Sequence, residues 1–414
     1  MSYDAIVIGG GPVGLLLAIE LRLTGLTPVV LERLTEPDQT IKAGAIHAIT
    51  GDALNRRGLH DALAAGQQQT VKEMLRLFTG DDTELDDAAA EAAMKKFAGN
   101  APRGHFAGIF KLDATKLSQL GVPTTGTPPI VMVPQPVLEA ALGQRASELG
   151  VEVRHGCELT GLAQDDEGVT VSVNGPDGSY ELRAGYVVGC DGGGRSRVRK
   201  LTGFDFPGTE PAITGHQALA IIEGAEKLAR GWNRTETGMM VYGPSPERVL
   251  TVEFDGPPAD REEPVSVEEL QASVRRVSGT DVTIKEIISA TRFTDNARAA
   301  STYRIGRVLL AGDAAHVHSP FGGQGLTLGL GDALNLGFKL AAVVRGRAGD
   351  ELLDTYTASG IRWPCAYWPH TRAQSRVGTG RGADVATGPF PCAALRTRRA
   401  GLPASGSPRV LATG

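Results

Sequence analysis

Cysteine is scarce in this chain. The 414 residues hold four, Cys157, Cys190, Cys365 and Cys392, and no two form a CxxC pair. That scatter excludes a zinc ribbon and a disulfide scaffold, and it points to a reducing, cytoplasmic setting. Basic charge is not in excess either: 42 Lys and Arg against 47 Asp and Glu leave a net charge of −5, so no positive field invites nucleic acid. Long hydrophobic runs are also missing. The N-terminal stretch "AIVIGGGPVGLLLAIELRL" lacks a basic n-region, contains a glycine cluster, and is bracketed by Asp4, Glu20 and Arg22. It is too short and too broken to span a bilayer and reads as folded core rather than a signal or membrane segment. What is present is 41% apolar and 21% charged residues, the balance of a soluble globular protein. The length exceeds one ordinary core, so two or three domains are expected.

The first unit reads strand, turn, helix, strand. "YDAIVIGG" suits a buried parallel strand, "GGGPVG" places Gly9, Gly11 and Gly14 at GxGxxG spacing, and "TPVVLER" is a second strand running into Glu32. Gly9 permits a tight turn, Gly11 lets a pyrophosphate approach the backbone, and Gly14 lets the helix pack closely on the sheet. The helix N-terminus offers N–H groups to phosphate, and Glu32 accepts from a ribose diol. The motif by itself does not separate NAD from FAD.

After Glu32 the short βα units of an NAD dehydrogenase do not follow. "RLTEPDQTIKAGAIHAIT" is a loop and "GDALNRRGLHDALAAG" is helical, while the acidic "DDTELDDAAAEAAMKKF" predicts a solvated helix. "VPQPVLEAALGQRASELGVEVRHGCELTGL" predicts a turn, a helix and a strand. "GVTVSVNGPDGSYELRAGYVVGCDGGG" predicts two strands about a turn at Pro176–Gly178 and a further strand ending at Asp191. Later, "RVLLAGDAAHVHSPFGGQG" ends an apolar strand in Asp313, followed by His316, His318 and glycines. His-x-His beside an acid raises metal ligation. Alternate residues of an extended strand share one metal poorly, however, and no carboxylate or cysteine cluster completes a ligand set, so no metal is expected.

Three motifs stand in order: GxGxxG with Glu32 and Arg33, "GYVVGCDGGGRSRVRK", and "RVLLAGDAAHVHSPFGGQGLTLGLGDALNLGFKLA", supported by "VPQPVLEAAL" and "GHFAGI". On these the chain resembles the FAD-dependent aromatic hydroxylases, the group A flavoprotein monooxygenases with the para-hydroxybenzoate hydroxylase fold. It is similar above all to the actinobacterial branch acting on polyketides and rifampicin-type antibiotics. The likeness covers roughly residues 3 to 356. It implies an α/β fold in which a Rossmann-like FAD-binding domain is interrupted by a mixed-sheet substrate domain. FAD-binding parts are expected at 1–75, 131–210 and 301–356, an insertion near flavin and substrate at 76–130, and a substrate-binding sheet at 211–300. Residues 357–414 are expected to be a truncated or disordered tail. From Ser375 that tail is rich in Gly, Ala, Pro and Arg with Asp384 its only acid, a composition that fits a shifted frame in a GC-rich gene. By the same resemblance, larger relatives continue into a thioredoxin-like domain, which is expected to be missing here.

The resemblance also implies a site. FAD would be held by Gly9, Gly11, Pro12, Val13, Gly14, Glu32 and Arg33 at its ADP half, and by Gln135, Leu159 and Asp191 along its length. Asp313 would take the ribityl hydroxyls. Pro320 would stand beside the ring, with backbone N–H groups of Gly323, Gly325 and Leu326 along its pyrimidine edge. Lys42, where many relatives have Arg, is either a cofactor contact or a solvated loop lysine. Ser196 falls five residues after Asp191 rather than the usual four, which puts the NADPH contacts of Ser196 and Arg199 in question, and Thr327 replaces a common Asn. The implied chemistry is reduction by NADPH in preference to NADH, addition of O2 to give a flavin hydroperoxide, and its attack by an aromatic or polyketide substrate, with no acid–base residue required. His47, His105 and Phe106 are pocket candidates or merely structural. Met240, with Met239 and Tyr242, lines a pocket or packs a core. Alternatives are Baeyer–Villiger insertion and a flavin-binding protein with lost turnover.

Overall fold

The run YDAIVI forms β1 (Tyr3–Ile8), fully buried from Ala5 onward, as a central parallel strand must be. In this computed structural model the described residues are 3–38, 40, 42–79, 105–106, 110–111, 130–243, 247–258, 263–318, 320 and 323–360; at 73–79, 105–106 and 110–111 only the backbone is described. α1 (Pro12–Leu23) starts on a proline, whose fixed φ suits a first turn, and β2 (Pro28–Leu31) delivers Glu32 at its end. β3 (Ala45–His47), α2 (Ala48–Leu54), a π turn at Asn55–Leu59 and α3 (His60–Thr79) follow. Then come β4 (His105–Phe106), β5 (Phe110–Lys111), β6 (Ile130–Met132) and α4 (Gln135–Glu148). β7 (Glu152–Arg154), β8 (Glu158–Gln164), β9 (Val169–Gly175), β10 (Gly178–Gly189) and α5 (Arg197–Thr202) complete this stretch.

The two strands expected after the Pro176–Gly178 turn are one. β10 runs twelve residues without a break. Its first half pairs antiparallel with β9 and its second half pairs parallel with β1, so a single strand joins a hairpin to the nucleotide sheet.

A second sheet is built from β11 (Thr214–Glu223), β12 (Gly231–Arg234), β13 (Gly238–Tyr242), β14 (Arg248–Glu253) and, beyond α6 (Val267–Ser278), β15 (Thr283–Phe293). Its order is β12-β13-β14-β11-β15 and every pair is antiparallel. Mixed strand directions belong instead to the nucleotide sheet. Ser266 caps α6, its hydroxyl accepting from Glu269 N at 3.2 Å.

The chain returns through β16 (Arg298–Ala299), β17 (Arg304–Ile305), β18 (Val308–Leu310) and β19 (His316–Val317) to α7 (Gly325–Val344). The nucleotide sheet runs β17-β18-β10-β1-β2-β7, with β9 paired to β10 and β8 to β9. α7 is long and apolar enough to cross a bilayer by length and composition, yet it packs on α1. Glycines permit the approach: a Cβ on Gly329 would stand 2.7 Å from Val13 Cγ2. Residues 351–360 form a last helix, which carries ordered structure past 356. Tyr356 OH donates to Leu310 O at 2.8 Å, and Tyr303 N donates to Thr357 Oγ1 at 3.0 Å. The rest of the expected tail, and the acidic helix expected near 81–97, lie outside the described residues.

Candidate cofactor site

A cavity of 1410 Å³ opens where β1 and β2 end, at Ile8 and Leu31. Ligands of open α/β sheets bind at such carboxyl ends. Its volume exceeds the roughly 300–1,000 Å³ of ordinary small-molecule pockets and suits an extended dinucleotide. Gly9, Gly11, Pro12, Glu32, Arg33, Lys42, Gln135, Leu159 and Asp191 all line it.

The three motif glycines divide their work as their spacing implies. Gly9 has φ +109, and a Cβ there would lie 2.5 Å from Cys190 O. On Gly14 a Cβ would lie 1.9 Å from Gly9 O, so α1 packs against the turn itself. Gly11 differs: nothing stands within 4 Å of its Cβ position, which leaves its backbone approachable. α1 has no side-chain cap and no acid in its first turn, so its N–H groups are left for an anion. Glu32 accepts from Gly10 N at 2.6 Å and from Leu34 N at 2.8 Å, one bond per oxygen. Each oxygen keeps a lone pair for a sugar hydroxyl. These residues fit the adenosine diphosphate half of FAD. Val13 does not line this cavity, and its side chain packs against Gly312 and Gly329.

Lys42 is not a solvated lysine alone. Its Nζ lies 2.7 Å from Asp38 Oδ2 on the cavity wall. Burial raises the Asp38 carboxyl, but hydrogen bonds from Lys42 and Thr40 outweigh it and hold the group near about 2. Gln135 Nε2 donates to Glu139 Oε1 at 2.7 Å, and desolvation pushes the Glu139 carboxyl up. Glu139 also lines the cavity. The sequence reading missed it, although it stands one helical turn after Gln135.

Asp191 lines the cavity, but its carboxylate is already engaged within the chain. It accepts from Ser196 Oγ at 2.7 Å, Arg197 N at 2.6 Å and Val198 N at 3.1 Å, so it caps α5. Ser196 itself accepts from Arg199 N at 3.1 Å. Arg199 is buried, stacks 3.8 Å from the Phe206 ring centroid, and donates to Ala314 O at 2.9 Å and to Gly193 O. Ser196 and Arg199 are both buried, and together they tie the loop after β10 to the turn after β18.

That turn, Gly312–Ala314, carries Asp313. Asp313 is exposed to solvent, yet desolvation by the protein around it pushes its carboxyl up against the pull of His316 and Lys42. Pro320 is exposed and its carbonyl accepts from Gly323 N at 3.0 Å. Gly325 and Leu326 open α7, which again has no side-chain cap and no first-turn acid. Ser319, Phe321 and Gly322 lie outside the described residues. Thr327 Oγ1, in the same first turn, accepts from His47 N at 3.3 Å, which puts His47 beside this helix end. The His-x-His pair splits. Burial, then the charge of His316, holds His318 down to about 4, while His316 is raised above its ordinary value.

The second sheet settles Met240 by strand alternation. Met240, Tyr242, Ala218 and Val249 face α6 and pack on Leu270, Val274 and Val277. Met240 is therefore core, and the pocket expectation is corrected. The opposite face carries the cross-strand rows Gln217–Leu250–Thr291 and Leu219–Arg248–Ser289. Gln217 Nε2 reaches Lys42 O at 3.5 Å, so this face turns toward the cofactor loop. On it, Arg248 Nε and Ser289 Oγ are buried without a hydrogen-bond partner among the described residues. Burial lowers the Arg248 guanidinium from its usual value. A charged residue at an inward position of "RVLTVEFDG" was the signal available. β4 holds His105 and Phe106 in a pair with β5, and their side chains lie outside the described residues.

A family model described as an FAD binding domain matches residues 2–366. The 12-dehydrotetracycline 5-monooxygenase/anhydrotetracycline 6-monooxygenase of Streptomyces rimosus is 40% identical over 400 residues, covering 91% of this chain and 70% of that protein. A rifampicin monooxygenase of Streptomyces venezuelae is 38% identical over 381 residues, covering 91% of this chain and 71% of that one. The solved anhydrotetracycline hydroxylase of Streptomyces rimosus superposes with a TM-score of 0.74 at 37% identity, covering 92% of this chain and 70% of that chain.

Proposed function

The chain belongs to the FAD-binding family of aromatic hydroxylases and is an FAD-dependent monooxygenase, and from that premise we propose that it hydroxylates an aromatic polyketide with NADPH as reductant and O2 as co-substrate. The carrying observation is the open backbone at Gly11 between an uncapped α1 and the half-satisfied carboxylate of Glu32. FAD, when bound, supplies the redox chemistry that places one atom of O2 on an electron-rich ring. The chain's own residues bind, orient and exclude water. The N–H groups of α1 hold diphosphate and Glu32 holds ribose. Asp313 accepts from the ribityl chain, and the uncapped end of α7 favours negative charge at the ring's edge. The face of the second sheet carrying Leu219, Val241 and Leu250, which reaches the Lys42 loop through Gln217, would keep water out. Arg248 Nε and Ser289 Oγ, without partners among the described residues, support a substrate that presents an ionised or hydrogen-bonding oxygen there.

The test is direct. The purified full chain should be yellow, should oxidise NADPH faster when anhydrotetracycline or a similar aromatic polyketide is added, and should place one labelled atom from 18O2 on the ring. Yellow protein without stimulated oxidation by any such compound would refute turnover. Oxygen inserted next to a ketone, giving a lactone, would refute hydroxylation.

A further inference from the structure

α7 is apolar along most of its length, and Asp332 interrupts it with a carboxylate in the buried core. One oxygen carries two bonds. Asp332 Oδ2 accepts from Gly312 N at 2.9 Å and lies 2.7 Å from His316 Nε2. Those two donors flank residues 313–315, so a single carboxylate oxygen pins the turn of Asp313 at both ends. Arg199 holds its middle through Ala314 O. The helix stands close enough to do this because Gly329 has no side chain: a Cβ there would lie 3.2 Å from Gly312 Cα. His316 Nδ1 has no hydrogen-bond partner among the described residues, so the bond to Asp332 is what orients the ring. Neither residue lines the cavity.

We propose that Asp332 and His316 are positioning residues, a buried ion pair that sets Asp313 against the cofactor and governs flavin affinity without touching the flavin. This rests on the role given to Asp313 above. Burial alone would lower His316, but the charge and hydrogen bond of Asp332, with the charge of Asp313, raise it. The groups facing the pair are Asp332 from α7, Asp313 from the turn, His318 after β19, Tyr303 before β17, Tyr356 from the last helix and Cys190 after β10. Loss of the His316 proton removes the positive charge from the buried pair, a costly change that loosens the turn.

Dilution of the full-length holoprotein, read by recovery of flavin fluorescence, tests this at about pH 6, 7.5 and 9. Wild-type protein should release FAD more readily at the highest pH. Asp332→Asn should weaken FAD about tenfold at the lowest pH and flatten the profile. His316→Gln, which keeps an N–H donor but carries no charge, should bind FAD at every pH about as weakly as wild type does at the highest pH and so flatten the profile, whereas His316→Ala, which lacks the donor as well, should bind it more weakly still. Thermal unfolding of each variant runs alongside. Wild-type affinity and pH profile in Asp332→Asn and His316→Gln, or weakening only in step with lost thermal stability, overturns the proposal. If Asp332→Asn does not fold, equal FAD affinity in His316→Gln and His316→Ala overturns it. A wild-type chain that holds no FAD at any pH refutes the functional reading, and the clamp with it.

Discussion

Two alanines three residues apart should fail in different ways. At Gly14 a Cβ would stand 1.9 Å from Gly9 O, against the 3.4 Å at which ordinary contact begins. Relief requires α1 to slide by about 1.5 Å or the turn to open, and overpacking of this kind costs about 1–3 kcal/mol. The same slide would stretch an N–H to phosphate bond from about 2.9 Å to beyond 4 Å, which abolishes it. Gly14→Ala should therefore lose both thermal stability and FAD. At Gly11 the added Cβ meets nothing within 4 Å, and φ −71 with ψ −177 is backbone that alanine adopts freely. Gly11→Ala should melt within a degree or two of wild type, yet bind FAD at least about tenfold more weakly, because its methyl occupies the path of the pyrophosphate. Differential scanning fluorimetry of apoprotein and fluorescence titration with FAD separate the two. A Gly11→Ala protein with wild-type FAD affinity would show that the diphosphate does not approach that backbone, and the cofactor placement would be wrong.

Met240→Ala should lower stability by about 2–4 kcal/mol in urea unfolding while KM for a polyketide stays unchanged, since the side chain faces α6. A raised KM at unchanged stability would contradict the strand register. Arg248→Gln should weaken substrate binding several-fold without lowering the melting temperature, because Nε has no partner to lose among the described residues; a fall in melting temperature at unchanged KM would count against a substrate role. His318 fixes an acid limb. Unfolded histidine binds its proton near about 6.5 whereas His318 in the fold waits until about 4, so stability is present above the first value and falls as pH drops between them. His318→Asn should flatten that limb in pH-dependent urea unfolding; parallel curves for variant and wild type would reject the assignment.

The nucleotide-binding turn was legible because each glycine acts through its nearest backbone neighbours, and local spacing encodes local geometry. Asp191 was legible only as a position. The same carboxylate can meet a cofactor or cap a helix, and here the longer loop makes Ser196 and Asp191 cap α5 together. "GMMVY" is apolar at every position, so period two gave no sign of which methionine faced inward. β10 read as two strands because its partners change from antiparallel to parallel midway, a change of neighbours rather than of local chemistry. The partner of His316 stands sixteen residues on. A lone acid amid "TLGLGDALNLGFKLA" was its only mark, and a buried charge asks for a counter-charge that sequence cannot place.

β1 lies between β2 and β10, and β10 in turn waits for β18, so the floor of the cofactor site joins residues 3–8 to residues 308–310. On a ribosome the first strand and the glycine turn emerge early, but the turn bearing Asp313 cannot dock until nearly all of the described chain has been made. Contacts this distant in sequence form slowly. A nascent chain can thus present the diphosphate-binding half to flavin long before the half that holds the ring exists, and the open edge of β10 must be kept from other strands in the interval.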